Sequence, residues 1–515
     1  MGSAPLQARS RWVHYAPSLA DLLLVSLVAW LFAAGEGWNG LLADGDTGWH
    51  IRTGDYILQT GSVPTVDIFS FSKPGEPWFA WEWLSDVIFA GLHGIWGLPG
   101  VVGFTGLVIA LAALTVFRQS LWRGANAFAA LGVTLVATGA ASLHFLARPH
   151  VFTLLLLPLA LWIVERDRRS PGTAVWVLVP LSALWANLHG GFLALIACLG
   201  ILAVGSAVEA WLAPERNWRP VWRYAGLTAA CTAATLLNPY GFRLHTHIAS
   251  YLRSDWIREA VDEFQSPKFR SENIFQFEAI LFVALLLAGI LLSKRRICDA
   301  LPILVWAHLS LSSVRHVPVF AVIVSPLVAQ ELTRIWEGWS VGSSRKSITG
   351  ILWALARDLT PGFQRNTAWS VVLVVAVLVL TPVAKWPRDF PAAKFPVKLV
   401  GTEEERLPKA RVFTSDEWAD YLIYRGWPHQ KVFLDGRSDF YGPTLGREYI
   451  QLVEGRSGWR KLLEKHKVNA VLAGRNWPLA ALLRDERSWQ VTLEDRQAVL
   501  FVQTQTANQT ATRHR

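Results

Sequence analysis

The chain has 515 residues, 52% hydrophobic and 17% charged, with 49 Lys and Arg against 39 Asp and Glu and a formal charge of +10. A soluble protein of this size carries about a quarter charged residues. Here the apolar residues come in long blocks, which excludes a soluble globular enzyme and marks a polytopic α-helical membrane protein. The basic excess lies in short segments between those blocks, so it reports membrane orientation and gives no reason to invoke nucleic acid as a partner.

The N-terminal QARSRWVHYAPS is polar and arginine-containing, and the first apolar block, DLLLVSLVAWLFAAG (residues 21–35), has no small-residue cleavage site after it. It reads as a retained anchor. The stretch DGDTGWHIRTGDYI follows at once, bringing Asp44, Asp46, His50, Arg52 and Asp55 together at the membrane edge. Ionisable groups there are costly, and a chain that keeps several in one place either uses them or has left the membrane.

The block 81–97 decides the topology. Counted as a span, it would put the basic loops outside, against the positive-inside rule at nearly every loop. Laid on the outer interface, it gathers Glu82, Asp86 and His93 on one helix face and leaves Leu84, Val87, Ile88 and Ile95 to the lipid. The inner segments then carry Arg9 and Arg11, Arg118 and Arg123, Arg166 to Arg169, Arg216 to Arg223, Lys294 to Arg296, and Arg345 to Arg365. About eleven spans are expected, with the N-terminus inside and the C-terminus outside. Many of the 27 Trp sit at span ends, as an interfacial belt requires. Cys198, Cys231 and Cys298 lie in or beside apolar blocks and suggest neither a metal site nor a disulfide framework.

Under this topology the polar motifs all face outward: DGDTGWH, LARPH (146–150), NLHGG (187–191), NPYG (238–241) and SVRHVP (313–318). Asp44 and Asp46 flank a glycine, so both carboxylates can serve one pocket, one as general base and the other holding it, a water or a divalent ion (Mg or Mn). The duller alternative is a solvated turn. Arg148 with His150, and Arg315 with His316, are the arginines that break the charge rule. Cations at outer helix ends suit a lipid phosphate, on which charge develops as its bond breaks; interfacial snorkelling is the alternative. His50, Glu82 and His189 are candidates for substrate binding, His189 being equally well read as part of a helix cap. His245 and His247 lack a third ligand and nominate no metal site.

After the last block (369–383) and a Pro/Lys segment (391–408), residues 409–503 alternate strand-like and helix-like runs. ARVFT, QKVFLDG, NAVLAG, WQVTLED and AVLFVQ read as strands, and 416–424, 445–454 and 458–466 as helices. This is a small α/β outer domain. Within it FLDGRSDFYG is the densest polar stretch, readable as a binding loop after a strand or as a turn with internal Arg–Asp pairing. The tail 504–515 reads as disordered. The domain division is thus 1–390 (first outer loop 36–98), 391–408, 409–503 and 504–515.

An acidic pair in the first outer loop, a juxtamembrane helix in that loop, about eleven spans and a C-terminal outer domain resemble the GT-C superfamily of membrane glycosyltransferases. The motifs carrying the resemblance are the first outer loop, WANLHGG, NPYG and DGRSDFYG. The resemblance implies a polyprenyl-phosphate sugar donor, an acceptor on a glycan, lipid or protein, and a loop aspartate acting as base with inversion at the anomeric carbon. Only Asp44 and Asp46 carry over to the family pattern. A divalent ion is left open, since some members use one. Other classes remain: a lipid-diphosphate polymerase or ligase, a transporter or flippase, and a non-catalytic scaffold. The uncharged middles of the spans speak against ion-coupled transport.

Overall fold

The computed structural model describes residues 17–33, 37–270, 274–341, 347–364, 369–380 and 386–504. Arg9, Arg11, Arg345, Lys346, Arg365 and the tail beyond Thr504 lie outside the described residues. Among the described residues five helices are long and apolar enough to cross a membrane: Leu98–Arg123, Ala127–His144, Phe192–Leu212, Ile274–Ser293 and Val314–Ser340. Shorter apolar helices cover Leu19–Leu31, Thr173–Leu188 and Ile297–Ser312. Their shared core is built on Phe117, Trp185, Phe277 and Phe320, each fully buried.

The arginine-bearing helix ends meet one another. Arg123 pairs with Glu165 at 3.0 Å, Arg168 with Asp299 at 2.8 Å and Arg296 with Glu331 at 2.6 Å. The opposite ends carry the motifs expected to face outward and the segment 36–98, the expected first outer loop. That loop contains two substantial helices, Asp46–Thr60 and Trp83–Trp96. They lie against each other so closely that a Cβ on Gly54 would sit 2.0 Å from the carbonyl oxygen of Asp86. Asp46 opens its helix, where a carboxylate meets the positive end of the helix dipole. The alternative of a solvated turn describes Asp44 alone, since Asp46 is already helical.

The C-terminal unit is a four-stranded sheet in the order β1-β2-β4-β3. β1 (Val412–Phe413) runs parallel to β2 (Ala470–Gly474), and β4 (Ala498–Gln503) pairs antiparallel with both β2 and β3 (Trp489–Glu494). Helices Asp416–Gly426, Ser438–Val453, Trp459–Lys465 and Pro478–Arg484 cover it. The expected strand QKVFLDG is not a strand. Val432 makes single bridges to Val412 and to Ser70, because the first outer loop takes up its backbone: Val432 N–H donates to Phe69 O at 3.1 Å, and Phe71 N–H to Val432 O at 2.9 Å. The segment 391–408 holds the short helix Val397–Thr402 and packs Phe395, Leu399 and Val400 into the core of this unit.

One hydrophobic core therefore runs from the first outer loop (Trp49, Phe69, Trp78, Phe89) into the C-terminal unit (Phe413, Tyr421, Phe433). Gly45 and Gly48 make the contact close: a Cβ on Gly45 would lie 2.4 Å from Glu417 O, and one on Gly48 2.7 Å from Asp420 O. The glycines of DGDTGWHIRTGDY thus let one helix pack backbone to backbone against two others.

Candidate active site

Arg148 stands at the centre of the helix ends opposite the Arg123, Arg168 and Arg296 pairs. It leaves the loop before the helix His150–Arg169. Nη1 donates to Asp44 Oδ2 at 2.9 Å and to Glu263 Oε1 at 2.7 Å, while Nη2 reaches Asp46 Oδ2 at 2.8 Å. Asp44 Oδ1 accepts the backbone N–H of Asp46 at 2.9 Å, which fixes the two side chains relative to each other. Burial opposes ionisation of Glu263, yet Arg148, with His144 at 3.4 Å and Arg315 at 3.8 Å, holds its carboxyl well below the usual range. Asp46 behaves oppositely. Burial raises it to about 7, Arg148 pulls it down, and Asp44 and Glu263 push it up. A carboxyl poised there can exchange a proton at neutral pH.

A second group adjoins the first. His50 Nδ1 lies 2.6 Å from Asp86 Oδ1 inside the loop core. Burial lowers His50 well below its ordinary value and raises Asp86 well above its own. His189 Nδ1 accepts the N–H of Gly191 at 3.0 Å and lies 2.8 Å from Thr153 Oγ1, which itself accepts from the Trp185 indole at 2.9 Å. These partners assign the proton of His189 to Nε2. The Nε2 atoms of His189 and His50 then face the two oxygens of Glu82 at 3.5 and 3.8 Å, beyond direct hydrogen-bond reach. Burial is the main reason that Glu82 rises to about 8 and His189 falls to about 3.

The other candidates separate. Arg315 stacks 4.4 Å over Phe264 and touches the cluster only through its long contact to Glu263. His150 Nε2 is tied to the carbonyl of His144 at 2.6 Å. His316 turns away to Leu309 O at 3.2 Å and packs on Trp306. His245 and His247 part as well, to Thr235 at 2.8 Å and Asp439 at 2.8 Å. In NPYG, Tyr240 OH accepts from Ala80 N–H at 2.8 Å and lies 3.2 Å from Pro64 O, so this motif braces the first outer loop. In DGRSDFYG, Arg437 is buried with Asp435 at 2.6 Å and Asp67 at 2.7 Å, the internally paired arrangement extended to a partner on the first outer loop.

A divalent ion does not fit these carboxylates as they stand. The Arg148 guanidinium fills the point on which Asp44, Asp46 and Glu263 converge, and among the described residues no group of three or more His, Cys, Asp or Glu is arranged to hold a metal. Sequence reasoning missed Asp420, and it weighed Glu263 only with Asp255, Glu259 and Asp262 as a loop that could close over the site but is better read as a solvated face. Glu263 sits in an acidic run that resembles a solvated loop face, and Asp420 lies in a helix of another unit, within the buried stretch Trp418–Tyr424.

The chain matches no known family profile and no curated protein sequence. Among solved structures it is similar to the archaeal oligosaccharyltransferase AglB from Archaeoglobus fulgidus in complex with an inhibitory peptide and a dolichol-phosphate, with a TM-score of 0.58, 11% identity, and coverage of 90% of this chain and 70% of that one. The apo form of the Archaeoglobus fulgidus oligosaccharyltransferase matches with a TM-score of 0.53, 11% identity and the same 90% and 70% coverage. ArnT from Cupriavidus metallidurans bound to undecaprenyl phosphate matches with a TM-score of 0.48 and 14% identity over 96% of this chain and 98% of that one. The chain thus shares its fold with these oligosaccharyltransferase structures.

Proposed function

We propose that the chain is a membrane glycosyltransferase that moves a sugar from a polyprenyl-phosphate donor to an acceptor hydroxyl on the outer face of the cytoplasmic membrane. About eleven spans, with the N-terminus inside and the C-terminal unit outside, complete the reading. The observation that carries it is the half-buried carboxylate–arginine cluster at these helix ends, holding one aspartate near neutral pKa. The dolichol-phosphate bound to AglB agrees with a lipid-phosphate donor.

In this reading Asp46 accepts the acceptor's hydroxyl proton as that oxygen bonds to the anomeric carbon. The carbon–oxygen bond to phosphate breaks, and the electron pair leaves with the polyprenyl phosphate. Asp44 and Arg148 hold Asp46 in place. Among the described residues Arg315 has one ion pair, at 3.8 Å to Glu263, beside its hydrogen bond with Tyr251, so it has fewer anionic partners than Arg148 and is the freer to neutralise the phosphate. The test is to offer purified protein polyprenyl-phosphate sugars with a mixed acceptor pool and to follow free polyprenyl phosphate by mass spectrometry. Release is expected from the wild type and not from Asp46→Asn. Undiminished release from a folded Asp44→Ala/Asp46→Ala double variant would overturn the reading.

A further inference from the structure

Asp420 comes from the C-terminal unit, on the helix Asp416–Gly426, and is buried. Its Oδ1 accepts the N–H of Gly436 at 3.1 Å. Gly436 has no room for a side chain: a Cβ there would lie 1.9 Å from Asp46 Oδ1 and 2.9 Å from Asp420 Oδ2. Those two oxygens therefore converge on one point from opposite sides of the seam between the first outer loop and the C-terminal unit.

The surrounding charges are accounted for. Around Asp46, Arg148 engages Oδ2 at 2.8 Å, and the Trp49 indole donates to Oδ1 at 3.2 Å. Asp44, Glu263 and Glu82 stand further round it. The groups facing Asp420 are Asp46, Asp435 and Asp416. Asp435 is taken by Arg437 at 2.6 Å, and Asp416 by the Tyr449 hydroxyl at 3.0 Å. Glu417, on the same helix, is raised to about 7, chiefly by burial and then by Asp44. Two like charges converging in a dry seam cannot both persist, and the standard resolution is for one proton to serve both carboxyl groups.

We propose that Asp420 is a positioning residue for Asp46, the two carboxyl groups meeting beside Gly436 and holding one proton between them. What this does for a catalytic base rests on the transferase reading above; the shared proton does not. In that reading, docking of the C-terminal unit sets the protonation of Asp46, so the outer unit tunes the base without touching substrate.

The full-length protein in detergent tests this directly through its thermal midpoint between pH 4 and 9. A proton held only in the folded state makes wild-type stability fall as pH rises from the unfolded carboxyl range toward neutrality. With a shared proton, Asp46→Asn and Asp420→Asn each remove the same part of that fall, the remainder belonging to Glu82 and Glu417, and the double variant removes no more. Separate contributions from the two single variants that add in the double variant would overturn the proposal, as would an unchanged profile in Asp420→Asn. Asp420→Ser, which keeps an acceptor for Gly436, serves if Asn disturbs folding. In the release assay, the acid limb of Asp420→Asn is expected about one pH unit below wild type. Absence of any release from wild type would count against the transferase reading alone, and the stability profiles would still decide the shared proton.

Discussion

Arg148 and Asp46 meet at 2.8 Å with the arginine side chain only 20% exposed, although the two residues are 102 positions apart and belong to different loops. The contact makes the membrane helices and the acidic loop one rigid site. It also sets the charge balance, because the same guanidinium satisfies Asp44 and Glu263.

Removal of Arg148 is therefore expected to hurt stability before chemistry. Arg148→Ala leaves Asp44 and Asp46 without their cation and Glu263 with the longer contacts to Arg315 and His144, at a cost of about 2 to 3 kcal/mol, below the range for a fully dry pair because part of the side chain meets solvent. Arg148→Lys retains the charge but not the fork that serves several acceptors, and a loss of about half as much is expected. Thermal midpoints of the two variants check the order. Equal midpoints for wild type and Arg148→Ala would show that the cluster does not hold the loop.

Glu82 gives a pH prediction of definite sign. Its carboxyl is raised to about 8, mainly by burial, so the folded protein keeps a proton that the unfolded chain releases above about 4.5. The stability that this proton contributes is present at low pH and is lost as pH rises to about 8. Glu82→Gln, which mimics the neutral form, should match wild type in acid and exceed it in thermal midpoint above pH 8. His189, lowered to about 3, acts in the other direction: between about 3 and 6.5 the unfolded chain binds the proton that the fold excludes, so its contribution grows with pH. His189→Gln should flatten that acid-side rise.

The seam between loop and outer unit is held by Arg437, buried between Asp67 and Asp435 and ringed by Phe69, Trp78 and Phe440. Arg437→Leu strands two buried carboxylates, and a loss of about 3 to 5 kcal/mol follows. Asp67→Asn, which removes one anion and keeps a partner for the guanidinium, should cost less. Limited proteolysis in the segment 391–408 should accelerate in Arg437→Leu if the outer unit detaches.

Much of this architecture was legible in the sequence, and the remainder was not for a physical reason. Blocks of apolar residues define membrane helices locally, and alternating runs define strands such as AVLFVQ, so these need no partner to be read. The first outer loop was legible because several ionisable residues crowd one membrane edge. Glu263 was not, since its value comes from Arg148, 115 positions away, and its own surroundings resemble any solvated acidic loop. QKVFLDG has strand composition, but its backbone partners belong to the first outer loop, and composition cannot say which chain segment will supply them. Asp420 looked like an ordinary helical acid; only the packing of Gly45 and Gly48 against its helix puts it beside Asp46.

That packing supplies the last prediction. A Cβ at Gly54 would fall 2.0 Å from Asp86 O, and one at Gly48 2.7 Å from Asp420 O, in both cases against backbone that cannot swing aside. Gly48→Ala and Gly54→Ala must push the Asp46–Thr60 helix away from one neighbour. The expected cost is about 1 to 3 kcal/mol each. Gly54→Ala should in addition loosen the His50–Asp86 contact of 2.6 Å, whereas Gly48→Ala should loosen the approach of Asp46 to Asp420. Gly40, whose Cβ would meet nothing within 4 Å, is the control, and Gly40→Ala should change the thermal midpoint little. If all three alanine variants melted alike, close backbone approach would not be what those glycines provide.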